Sequence, residues 1–176
     1  MSFWPFDSQE ILTVSKALEI AEEKIGDYYQ FSSGQWRRHR FDVKTLTDLR
    51  DYEITPNAFA LLNKCSRAID GYESKTRSRD FYFICLQDHR ILWALKRDRQ
   101  IELLPLLVYI LTHELVHIVR FCNFSQRFEI LGTDRDKEER IVHATTYEIL
   151  RDLCLKNMDY LLDSYLGHRT FDPVMS

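Results

Sequence analysis

No two of the four cysteines, Cys65, Cys85, Cys122 and Cys154, stand close enough in the chain to form a CxxC pair. That absence removes the zinc-ribbon and thiol-redox readings and leaves reduced core thiols as the expectation. Neither sign of charge dominates: 24 Lys and Arg against 27 Asp and Glu give a net charge of -3, which supplies no global case for nucleic acid or an anionic membrane. Long apolar runs are also missing. The longest, Leu103 to Leu111, has nine residues, too few to span a bilayer. Met1 is followed by SFWPFDSQE, with neither the basic start nor the apolar stretch of a secretory leader, so a cytoplasmic protein is expected. There is no internal repeat and no low-complexity segment, and 176 residues read most simply as one domain over 1–176 with a substantial core.

What the chain does have is concentrated between Ile101 and Phe121, IELLPLLVYILTHELVHIVRF. Periodicity assigns this run to a buried helix, yet His113, Glu114 and His117 sit inside it in the pattern HExxH. Residues four apart lie one turn up the same helix face, so the two imidazoles can close on one metal ion while Glu114 faces its open side. Neutral imidazole is the commonest zinc ligand, and a third protein ligand plus a water completes an open tetrahedral site in which Glu114 can take the water's proton. The competing reading is a helix whose polar stripe faces solvent or a partner. It explains the two histidines and the glutamate poorly, because each is costly to bury among Leu, Val and Ile without a partner.

The remaining elements follow from caps and periods. Asp7 and Glu10 have capping-box spacing ahead of an apolar 3.6-residue period, which predicts a helix over roughly 8 to 29. Gln35 to Lys44, QWRRHRFDVK, reads as a strand; its basic cluster Arg37 to Arg40 is more simply a solvated face than a nucleic-acid contact. Thr55-Pro56 predicts a second helix over 56 to 69 and ESKTRSRD (73 to 80) a loop. FYFICLQ (81 to 87) and RILWAL (90 to 95), joined by Asp88-His89, predict a hairpin, with His89 a turn residue. Residues 121 to 132 read as irregular, and two more helices are expected, at about 137 to 156 and 158 to 166.

A third ligand has to come from elsewhere. The HExxHxxGxxH class is excluded, since Arg120 stands at the Gly position and Asn123 at the third His. The helix after Gly132 is the better source, because Glu139 and His143 are four apart on one face with Tyr147 a turn beyond. Glu138, or an Asp of GTDRD (132 to 136), is a weaker alternative. Asp136 with Glu139 also fits a capping box, which would make both glutamates ordinary helix-start acids.

HELVH followed 22 residues after its second His by Glu139, with a polar residue four further on, resembles the gluzincin branch of the zincin metallopeptidases over residues 101 to 150. The resemblance implies His113, His117 and Glu139 as zinc ligands, Glu114 as general base, and His143 in a supporting role where the family has Asp. It implies an α+β zincin-like fold, a small sheet packed on the HExxH helix with further helices at both ends, and a peptide or protein substrate lying as an added strand along the 81 to 95 hairpin. Hydrolysis then runs by carbonyl polarisation, proton transfer through Glu114, and an oxyanion donor drawn from Tyr147, His143 or Arg120. Three other readings stand beside it: a zincin-like binding or regulatory module without turnover, proteolysis in a nucleic-acid context through the Arg37 to Arg40 cluster, and a metal-free helical scaffold.

Overall fold

The computed structural model describes residues 3–36, 39–66, 80–123 and 132–167. Helix α1 (Ser8–Tyr29) begins where the capping box places it: Asp7 accepts from the Gln9 and Glu10 amides, and Glu10 accepts from the Asp7 amide. Its stripe of Val14, Ala17, Ala21 and Ile25 is buried against helix α4 (Leu103–Cys122), the most extensive packing between any two helices here. The small alanines let the two axes approach closely. In α4 almost every side chain from Pro105 to Val119 is buried, so it is the central element; Pro105 falls in its first turn, where no amide is needed. By length and composition α4 could also cross a membrane, but 78% of its apolar window is buried inside the fold.

The architecture is α+β, with three strands in the order β1-β3-β2: β1 (Phe41–Lys44), β2 (Ala60–Ser66) and β3 (Asp80–Leu86). β1 runs parallel to β3 and β2 antiparallel to it, with Val43 and Leu62 both opposite Ile84. Tyr82, Ile84 and Leu86 share the face that joins the helical core. A short helix α2 (Ser33–Trp36) precedes β1, so the expected strand over 35 to 44 is only its second half; Arg37 and Arg38 of the basic cluster lie outside the described residues. The 73 to 79 part of the expected loop and most of 121 to 132 lie outside them too.

Two expectations are corrected. The helix expected over 56 to 69 is absent: past residue 59 the chain is strand β2 as far as the described residues go, although Thr55 Oγ1 accepts from the Asn57 amide as a helix cap would. Pairing along β3 then claims the chain. The 81 to 95 hairpin is strand β3 followed directly by helix α3 (Asp88–Arg97). Asp88-His89 is a buried strand-to-helix junction: Asp88 accepts from the distant Phe6 and Leu46 amides, and Gln87 donates to the Glu53 and Cys85 carbonyls. Polarity there marks internal hydrogen bonding where the sequence suggested a solvated turn. Helices α5 (Thr133–Leu150) and α6 (Met158–Gly167) complete the fold, α5 starting four residues before its expected position.

Candidate metal centre

Because α5 begins at Thr133, Glu139 lies in its second turn, beyond the reach of helix-start amides. Asp134 and Asp136 are the first-turn acids, and both are exposed with Arg135 between them. The helix-start reading of Glu139 therefore fails. Its carboxylate instead straddles the two motif histidines: Oε2 is 3.3 Å from His113 Nε2 and Oε1 is 3.2 Å from His117 Nε2. Both imidazoles are buried, in a helix whose other neighbours are Leu, Val and Ile.

The fit to a metal can be judged on these atoms. Donors bound tetrahedrally at about 2.0–2.1 Å from one ion stand about 3.3 Å apart. Glu139 Oε2 is shut away from solvent and, despite that short distance to His113, has no hydrogen-bond partner of acceptable geometry among the described residues. A buried carboxylate oxygen with no aligned proton donor, beside two imidazoles, suits a cation. Two nitrogens and one oxygen form a zinc-type donor set, so the residues present fit that ion.

His143 is the rival ligand. One donor atom each from His113, Glu139 and His143 lie within 4.8 Å of one another, a grouping that leaves out His117. His117 touches Glu139 through Nε2, and His143 Nδ1 is hydrogen-bonded at 2.9 Å to the Tyr109 hydroxyl, a bond that orients the ring and does not exclude ligation through Nε2. The His143 ring lies 4.7 Å from that of His113, so it flanks the donors. The supporting bond the resemblance implies is not formed, since Nδ1 of His113 and of His117 have no hydrogen-bond partner among the described residues. Tyr109, one turn before His113, is the residue that sequence reading missed. Its place on the His113 face was available, but an aromatic in so apolar a run reads as core.

Electrostatics agree with the geometry. Burial works against ionising Glu139, yet its contacts with His113 and His117 outweigh it and hold the carboxyl well below the ordinary range. Burial likewise opposes protonation of His113, but Glu139 and Glu114 together leave its pKa raised. The site thus draws positive charge. Glu114 is pushed the other way, its carboxyl raised chiefly by burial, although part of its surface stays open.

The remaining candidates are placed elsewhere. Arg120 is committed to Glu138, donating from Nε at 2.6 Å and from Nη2 at 2.8 Å, which removes both from the lists of oxyanion donors and ligands and ties α5 to α4 one residue before Glu139. Tyr147 is half-buried against the core, and no hydrogen bond or ring contact among the described residues joins it to the histidines. No protein-family model matches the chain, and no curated protein or solved structure matches it either.

Proposed function

We propose that the chain is a zinc-dependent metallopeptidase of the gluzincin type, with His113, His117 and Glu139 holding the ion. The observation that carries this reading is the Glu139 carboxylate lying 3.3 and 3.2 Å from the two HExxH imidazoles. Zinc, when bound there, supplies a Lewis acid and acidifies a water toward neutral pH. Glu114, raised by burial and adjacent to His113, accepts the attacking water's proton and delivers it to the leaving amine. His143, oriented by Tyr109, is the polar group beside the donors that can steady developing negative charge.

The substrate strand needs a new location. β3 is paired on both sides, so the expected wall over 81 to 95 has no open edge, whereas β1 and β2 are each paired only with β3 among the described residues, β2 being the longer of the two edges. A peptide adds along β2.

Zinc titration with a hydrolysis assay on a mixed peptide library tests the reading. About one zinc per chain is expected, with Glu139→Ala weakening it by orders of magnitude and Glu114→Gln keeping zinc while losing hydrolysis. Unchanged affinity in Glu139→Ala removes the ligand assignment. Tight zinc without hydrolysis on any peptide leaves a binding module in place of the enzyme.

A further inference from the structure

Helix α3 buries Ile91 and Ala94 and turns Trp93, Lys96 and Arg97 outward. The N-terminal segment lies along it, anchored by the Phe6 amide on Asp88, so that Phe3 stacks edge-on against His89 at 4.9 Å and Trp4 lies under Lys96 Nζ at 3.8 Å. His89, Trp93 and Lys96 are successive members of one helical stripe, so the two chain segments build a single surface. Phe3, Trp4 and Trp93 are 51%, 54% and 46% exposed. Around them stand Arg90, Lys96 and Arg97, none in an ion pair with any described residue; each sits over an indole ring, Arg90 and Arg97 both over Trp93 at 5.0 and 4.8 Å. Arg90 Nε, moreover, is closed to solvent without a hydrogen-bond acceptor among the described residues.

No described acid forms an ion pair with these cations, although Asp98 at the end of α3 offsets part of the charge of Arg97. Asp7 and Glu10 hold each other's backbone amides at the start of α1, Asp88 is buried on two amides, and Asp98 accepts from the Tyr160 hydroxyl and the Gln100 amide. Unpaired cations beside exposed indoles require a partner that is anionic at its surface and apolar beneath it. We propose that this face docks on an anionic phospholipid membrane, with Phe3, Trp4 and Trp93 entering the headgroup layer and Arg90, Lys96 and Arg97 meeting lipid phosphates. Single-stranded nucleic acid fits less well, because base stacking needs open ring faces and here cations already lie over Trp4 and Trp93. The chain's net charge of -3 gives no general attraction to an anionic surface, so the attraction is local. It does not depend on the metal centre.

The test is vesicle co-sedimentation of the full chain with phosphatidylcholine alone and with an equimolar mixture of phosphatidylcholine and phosphatidylserine. Binding is expected only to the mixture and to weaken as salt rises. Lys96→Gln and Arg97→Gln should each lower the partition coefficient about 5-fold, the effect of about 1 kcal/mol per cation at the surface. Trp4→Ala with Trp93→Ala should reduce it further at low salt, and Arg151→Gln, an exposed arginine at the end of α5, should leave it unchanged. All these positions are on the surface, and circular dichroism verifies that each variant is folded. In a Trp36→Phe background the fluorescence comes from Trp4 and Trp93 only, and a blue shift on adding the mixed vesicles is expected. No binding to the mixed vesicles at low salt overturns the proposal, as does binding that the Lys96, Arg97 and tryptophan variants leave intact. Retention of a labelled single-stranded oligonucleotide without vesicle binding assigns the face to nucleic acid and equally overturns it.

Discussion

Arg120→Ala is the most informative single change, because it acts on the fold and on the candidate metal centre through one contact. Glu138 keeps only 2% of its side chain exposed, and its carboxylate accepts two charge-assisted hydrogen bonds from the Arg120 guanidinium, itself 20% exposed. The hydrogen bonding holds the guanidinium's pKa above its ordinary value. Truncating Arg120 strands a buried carboxylate, which costs about 3–5 kcal/mol; water reaching the partly open arginine side moves the expectation to about 3. With a urea slope of about 2 kcal/mol/M, the unfolding midpoint falls by about 1.5 M. Arg120→Met with Glu138→Leu removes both charges and should come within about 1 kcal/mol of the parent, about 2 kcal/mol more stable than Arg120→Ala. Since Glu138 ties α5 to α4 one residue before Glu139, Arg120→Ala should also weaken zinc binding measured on the folded protein. Urea unfolding decides it: a single mutant within about 1 kcal/mol of the parent, or a double mutant less stable than the single, refutes the account of a buried clamp.

Glu53 is buried and hydrogen-bonded by the Arg50 amide, Lys44 and Asn63, the Arg50 bond doing most to hold its carboxyl below the ordinary 4.5. Its stabilisation is present above that value and lost as pH falls, so Glu53→Gln should flatten the acid limb of a plot of Tm against pH. Asp88 acts with the opposite sign. Burial raises its carboxyl from 3.8 to about 6, so its contribution is complete below about 3.8 and lost as pH rises through about 6; Asp88→Asn should abolish that decline whatever its effect on overall stability. Thiol labelling of the native protein should modify the exposed Cys65 and Cys154 quickly and spare Cys85 and Cys122, whose thiols burial pushes up to about 12 and about 11. Rapid labelling of Cys85 without denaturant would contradict its place beneath Glu53.

By itself the sequence determined those parts whose causes are local. The capping box at Asp7 and the 3.6-residue period behind it mark α1 to the residue, and HELVH sets two imidazoles one turn apart wherever that helix lies. Tertiary structure decided what depends on partners distant in sequence. Residues 60 to 66 form a strand because β3 supplies the ladder, overriding a Thr-Pro signal that reads equally as helix start or turn. Asp88 can be buried at the start of α3 because the amides of Phe6 and Leu46, 82 and 42 residues away, come to its carboxylate. In the same way the sequence favoured Glu139 as third donor but left His143, Glu138 and the acids of GTDRD open beside it. Only the crossing of α5 over α4, with Arg120 taking Glu138 and Tyr109 taking His143, turns Glu139 toward His113 and His117, since periodicity places a side chain on its own helix and says nothing of what it will face.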